Sequence, residues 1–160
     1  MIKKIAIVLL VLLNIGCDQF SKNAVRKHIS EHDRIELIGD NFIMVKVENT
    51  GAMLGFGQNL SPILKLIFLQ TIPVLVLLVL LFRILKKTNM NIWLVFAFAC
   101  VIGGGIGNLI DRIAYGQVTD FFHINIGFFK TGIFNMADVS VTLGVLLILF
   151  LNIRNRKLEM

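Results

Sequence analysis

The chain has 160 residues, 56% hydrophobic and only 16% charged, with a mean hydropathy of +0.81, a balance that excludes an ordinary soluble domain and belongs in lipid. Its net charge of +6 does not indicate nucleic acid, because no basic face is interleaved with stacking aromatics and much of the excess flanks apolar segments. At this length one integral membrane domain over residues 1–160 is expected, with any site built between its helices and their connecting loops.

Met1-Ile2-Lys3-Lys4, an apolar run to Ile15 and then Gly16-Cys17 imitate the signal sequence of a lipoprotein. A processing site of that kind takes an aliphatic residue three before the cysteine, where this chain has Asn14. The segment is therefore read as a retained first span, about residues 2–24, running into Asp18-Gln19-Phe20-Ser21-Lys22. Asp18 and Lys22 stand i, i+4 apart, so they share a helix face and suit an ion pair. Next comes His28-Ile29-Ser30-Glu31-His32, literally the His-x-x-Glu-His string of one class of zinc peptidases. It falls in a charged stretch without a matching third ligand and reads as a solvated helix end; no metal or other cofactor is expected. Within residues 35–58, Ile43, Val45 and Val47 alternate with Met44, Lys46 and Glu48 up to Asn49-Thr50-Gly51, which predicts a small extramembrane β element.

The second span covers about residues 61–85, with Ser61 as N-cap and Pro62 at the first helical position, while Pro73 inside it predicts a kink. The third, about 91–111, ends in Gly103-Gly104-Gly105-Ile106-Gly107-Asn108-Leu109-Ile110-Asp111-Arg112, where small residues let membrane helices approach closely. Asn108 and Asp111 lie three apart and face the same way. The following connection, Asp111 to Gly132, turns aromatic at Phe121, Phe122, Phe128 and Phe129 and is expected to lie in the membrane interface. The fourth span is about 133–153. From Asp138 to Ile153 the apolar run covers only about 24 Å at helical rise, short of a hydrocarbon core of roughly 30 Å. That helix is thus expected to begin near Phe134 and to bury Asp138 about one turn inside.

The fold class is accordingly an all-α membrane protein: four transmembrane helices with the small β element between helices one and two. Cys17 and Cys100 read as small packed hydrophobes, with no disulfide. Lys3 and Lys4, Arg83, Lys86 and Lys87, and Arg154, Arg156 and Lys157 mark one side as cytoplasmic, although Arg26 and Lys27 follow span one on the other side. Both termini inside the cell would gather Asp18, Asn49, Asp111, Asp120 and Asp138 at the outer side.

An ionisable residue in a membrane segment is costly and is a functional hypothesis until a partner explains it. Two carboxylates close together in a low-dielectric site cannot both ionise and share a proton, leaving one as base and one as acid. Water-mediated amide hydrolysis needs that pair, and Asp120 in Val118-Thr119-Asp120-Phe121 with Asp138 in Phe134-Asn135-Met136-Ala137-Asp138 can form it. Asn108, Asn135 and Arg112 are suited to orient the pair or a substrate backbone. Taken alone, two aspartates serve equally well in a small channel or transporter subunit.

Five blocks in order carry a more specific signal: Asp18-Gln19-Phe20-Ser21-Lys22, Asn49-Thr50-Gly51-Ala52, Gly104 to Arg112, Val118-Thr119-Asp120-Phe121 and Phe134-Asn135-Met136-Ala137-Asp138. In these the chain resembles the lipoprotein signal peptidases, or signal peptidase II, over nearly its whole length. The resemblance implies that Asp120 and Asp138 are the catalytic dyad, that Asn108, Arg112 and Asn135 form the polar shell around it, and that Asp18, Lys22, Asn49, Gly51, Gly104 and Asp111 bind substrate or support the site. It further implies a metal-free peptidase of the bacterial inner membrane, acting as a monomer among membrane lipids. Its substrate would be a diacylglyceryl-modified prolipoprotein, cut just before the lipidated cysteine, with the β element and its neighbouring loop clasping the substrate at the outer surface. This sequence departs from the pattern at Gly105, where alanine is common, at Leu54, where an aromatic often follows the Asn-x-Gly-Ala block, and along His123 to Ile133.

Overall fold

A computed structural model describes residues 2–87 and 89–158. Four helices are long and apolar enough to cross a membrane: α1 (Ile2–His28), α2 (Pro62–Lys86), α3 (Ile92–Tyr115) and α4 (Met136–Leu158). Of the basic residues that mark the cytoplasmic side, Arg156 and Lys157 have side chains outside the described set. The most buried helix is α3, which packs against the other three, and the core between α1, α2 and α3 is built from Ile7, Val11, Leu77, Ile84, Val95 and Ile102. Outward-facing Leu9, Leu13, Leu78, Phe82, Leu146 and Phe150 are exposed, as lipid contact requires, since in hydrocarbon the outer face of a bundle is no less apolar than its core. Cys100 is buried as expected, but Cys17 is on the exposed face of α1 rather than packed.

Local chemistry sets the helix ends. Ser61 accepts from the Leu64 amide with Pro62 at the first helical position. Ahead of Pro73, residues Leu66–Thr71 widen into a π-helix, which is how α2 accommodates a ring that removes a donor and crowds the preceding turn. Asn91 caps α3 through Trp93 N–H. Gly116, at φ 72°, ends it in the left-handed conformation.

The extramembrane part differs from expectation. Strands β1 (Arg34–Ile38), β2 (Phe42–Asn49), β3 (Val118–Ile126) and β4 (Phe129–Lys130) form one antiparallel sheet in the order β1-β2-β3-β4. The description all-α with a β element confined between helices one and two is therefore corrected: half of the strands come from the connection between α3 and α4, the segment read as an interfacial loop. Its residues Val118, Thr119, Asp120 and Phe121 are all buried, Phe121 packing with Val25, Ile29 and Met136 and Val118 and Asp120 lining a cavity. A strand buried on both faces lacks the period-two alternation that marks a half-exposed one.

Candidate active site

β3 pairs with β2 so that Asp120 lies opposite Val47 and Val118 opposite Asn49. Asn49 and Val47, two residues apart, share a face of the sheet, and that face carries Asn49 to within reach of Asp120: Asn49 Nδ2 donates to Asp120 Oδ2 at 3.1 Å. The other oxygen, Oδ1, accepts from Asn135 Nδ2 at 2.6 Å.

Asp138 is held by the start of α4. Asn135 is its N-cap: Asn135 Oδ1 accepts from the Asp138 amide at 3.0 Å, while Asp138 Oδ2 accepts from the Asn135 amide at 3.1 Å. This reciprocal capping box puts the carboxylate on the third helical residue, where it also faces the positive end of the helix dipole. Hence α4 begins at Met136, two residues after the expected start, and Asp138 sits in the first turn rather than a full turn inside. The remaining oxygen, Oδ1, accepts from Asn108 Nδ2 at 2.9 Å. Asn135 Nδ2 reaches Asn108 Oδ1 as well, at 3.1 Å, so one asparagine touches both aspartates and the asparagine of α3.

Both aspartates wall a single cavity of about 500 Å3, together with Asn49, Arg112, Leu54 and Val139. Its surface is mostly apolar, and it lies where the bundle meets the sheet. Burial pushes the Asp120 carboxyl up to about 6; repulsion from Asp138 acts in the same direction, while hydrogen bonds from Asn49 and Asn135 and the charge of Lys22 oppose it. Arg112, also in the lining, donates to Gly51 O at 3.0 Å, and its Nε is buried without a protein partner among the described residues. Gly51 admits no side chain, since a Cβ there would meet Phe56 O at 2.7 Å. Its amide donates to Asn49 Oδ1 at 2.9 Å, tying the loop to the site.

Behind this wall is a second, fully buried cluster. Lys22 Nζ contacts Asp18 Oδ2 at 2.8 Å, Asp111 Oδ2 at 3.2 Å and Asn108 Oδ1 at 2.8 Å. Asp18 Oδ1 accepts from the Ala137 amide at 2.9 Å, which links α1 to the first turn of α4. Gly104 lets α4 approach α3: a Cβ there would meet Ala137 O at 2.5 Å. Asp18, Lys22 and Asp111 have no exposed surface and do not line the cavity. Neither do His28 and His32, and among the described residues no three His, Cys, Asp or Glu side chains are grouped as metal ligands.

Sequence reasoning missed several members of the cluster. Arg26 pairs with Asp111 Oδ2 at 2.7 Å and donates to Thr119 Oγ1 at 2.8 Å; Gln19 donates to Asp111 Oδ1 at 3.1 Å and Gly107 O at 3.0 Å; Thr119 Oγ1 also meets the Glu48 carboxylate. A signal existed for Arg26, which continues the four-residue spacing of Asp18 and Lys22 on one face of α1.

The family model for signal peptidase (SPase) II matches residues 10–154. The chain belongs to the signal peptidase II family. A lipoprotein signal peptidase of Streptococcus thermophilus is 36% identical over 93% of this chain and 93% of the relative. That of Clostridium tetani is 37% identical over 90% of each chain, and that of Syntrophus aciditrophicus 31% identical over 88% of this chain and 87% of its own. A solved bacterial membrane enzyme superposes with a TM-score of 0.86 at 28% identity, covering 97% of this chain and 92% of that one; another gives 0.78 at 29% identity. As a signal peptidase II family member the protein is a membrane-integral protease.

Proposed function

We propose that the protein is an aspartic endopeptidase in which Asp120 and Asp138 remove the signal peptide from diacylglyceryl-modified prolipoproteins, cutting just before the lipidated cysteine. Family membership supports the removal of signal peptides from lipoproteins. The observation that carries the catalytic assignment is the pair of carboxylates lining one cavity, joined through Asn135.

Asp120, with its carboxyl raised to about 6, holds the shared proton, and Asp138 acts as base. A water between them gives its proton to Asp138 as its oxygen bonds to the scissile carbonyl carbon, while Asp120 protonates the carbonyl oxygen. Collapse of the tetrahedral intermediate breaks the C–N bond, the leaving amine takes the proton held by Asp138, and Asp120 recovers its own. Asn49, Asn108 and Asn135 hold the carboxylates through N–H donors. The mainly apolar wall around them suits a substrate that carries acyl chains and an apolar signal helix. The enzyme works as a monomer in the cytoplasmic membrane, termini inside and cavity toward the outer face.

Purified parent, Asp120→Asn and Asp138→Asn are assayed on a diacylglyceryl-modified prolipoprotein beside its unmodified precursor. Only the modified substrate is cleaved, and each variant falls by about 10²- to 10⁴-fold. An inactive parent, or either variant at the parental rate, overturns the proposal.

A further inference from the structure

Three asparagines donate to the two cavity carboxylates, and an amide side chain works as a donor only if it is turned the right way. Its oxygen and nitrogen ends have almost the same shape, so its orientation is decided by its neighbours. For Asn49 the deciding neighbour is the Gly51 backbone N–H, which occupies Oδ1 at 2.9 Å and leaves Nδ2 for Asp120. For Asn135 it is the Asp138 backbone N–H, which occupies Oδ1 at 3.0 Å and leaves Nδ2 for Asp120 and Asn108. Both of these are fixed by the main chain.

Asn108 differs, because among the described residues no backbone donor holds its oxygen. Oδ1 accepts from Lys22 Nζ at 2.8 Å and from Asn135 Nδ2 at 3.1 Å, while Nδ2 faces Asp138 Oδ1 at 2.9 Å. An ammonium has three donors and no acceptor. It therefore rejects the reversed amide, which would set N–H against N–H on one side and oxygen against carboxylate on the other. All three Lys22 donors have partners, in Asp18, Asp111 and Asn108, and the side chain is fully buried and absent from the cavity wall. Lys22 thus has no donor left for substrate. Its one direct hydrogen bond to a residue that touches the dyad is to the oxygen of Asn108; its charge also reaches Asp120 through space.

We propose that Lys22 is a positioning residue that locks the Asn108 amide so that its NH2 is aimed at Asp138, the buried pair with Asp18 and Asp111 serving to hold the ammonium in place. This rests on reading Asp120 and Asp138 as the dyad. Lys22→Met removes the ammonium while retaining most of the side-chain volume, and Asp18→Asn/Lys22→Met also removes the charge that the single change strands in the interior.

The test is a double-mutant cycle on kcat with lipid-modified prolipoprotein, combining Lys22→Met, and separately the neutralised Asp18→Asn/Lys22→Met, with Asn108→Ala. Loss of a hydrogen bond to a charged group corresponds to about a 10- to 100-fold fall in kcat. We expect that fall for either Lys22 variant with KM within about twofold, and less than about a threefold further fall when Asn108 is already alanine. Lys22→Arg, which retains a cationic donor, restores more activity than Lys22→Met. A purely structural role predicts the same loss in both backgrounds, and that result, or parental kcat in the neutralised variant, overturns the proposal. Should Lys22→Met fail to fold, the neutralised variant decides alone; should that fail as well, Lys22 is a folding residue and the proposal falls. Asp138→Asn at the parental rate instead overturns the dyad reading, whereas an uncoupled cycle beside an inactive Asp138→Asn overturns only the role of Lys22.

Discussion

Asp120 binds its proton more tightly in the folded chain than the ordinary carboxyl value of 3.8 allows, because burial outweighs the hydrogen bonds from Asn49 and Asn135. Such a group favours the folded state below about pH 4, and that contribution is lost as pH rises through about 6. At pH 8 the charged carboxylate therefore opposes folding by something on the order of 2–3 kcal/mol. Asp120→Asn keeps the shape and an acceptor for Asn135 but cannot ionise. It should slow cleavage by about the same 10²- to 10⁴-fold yet raise the melting temperature in detergent at pH 8, with the gain fading toward pH 4; an equal or opposite change at both pH values contradicts the burial account. Asn49→Ala acts on the same carboxyl in the other sense. Removing a donor to the ionised form raises the proton affinity further, so the alkaline limb of the pH–rate profile should move to higher pH, by about one unit. Because the two aspartates titrate together, that limb belongs to the pair rather than to one residue. A limb that stays put or moves to lower pH would show that Asn49 does not support the ionised form.

At the scale of elements, the helices were legible in the sequence because a long apolar run has few alternatives, and Ser61-Pro62 marked a helix start directly. The fourth helix was less so. Span length alone drew its start toward Phe134, whereas the structure starts it where Asn135 and Asp138 cap each other. The spacing Asn-x-x-Asp is that of a capping box as well as of a polar pair, so the same two residues set the helix start and build the site. β3 escaped because both of its faces are covered, and the second half of the sheet went with it. The glycines of α3 were read correctly as small, but their partners belong to other helices. Gly107 faces the oxygen of Asp18 that binds Lys22 and Gln19, and a Cβ there would lie 2.5 Å from it. Gly16, on the exposed face of α1, has nothing within 4 Å. Gly107→Ala should therefore destabilise by about 1–3 kcal/mol through overpacking and loosen the buried ion cluster, whereas Gly16→Ala should be neutral or stabilising by up to about 1 kcal/mol. Melting of the two variants in one detergent separates them, and similar melting temperatures would mean that α1 and α3 have room to part.

Across the whole molecule, the sheet is the device that makes a site from two separate connections. β2 leaves the α1–α2 connection and β3 the α3–α4 connection, and their ladder brings Asn49 to Asp120 over the end of a bundle whose fourth helix presents Asp138. Both connections must then lie on one side of the membrane, because a paired sheet cannot be divided by a bilayer. The short α2–α3 connection lies at the other end of the bundle and carries Lys87, just after Lys86 at the end of α2, without an acid, the feature on which the proposed cytoplasmic placement rests. The proposed sidedness would have substrate delivered from the outer surface. It is tested in a chain freed of Cys17 and Cys100, with one cysteine placed either at Phe128, fully exposed at the β3–β4 turn, or at Asn89 in the α2–α3 connection. In intact cells a membrane-impermeant maleimide should label the cysteine that replaces Phe128 and spare the one at Asn89, which reacts only after permeabilisation. Labelling of the Asn89 site alone in intact cells would invert the protein, turn the aspartates toward the cytoplasm and overturn the proposed sidedness.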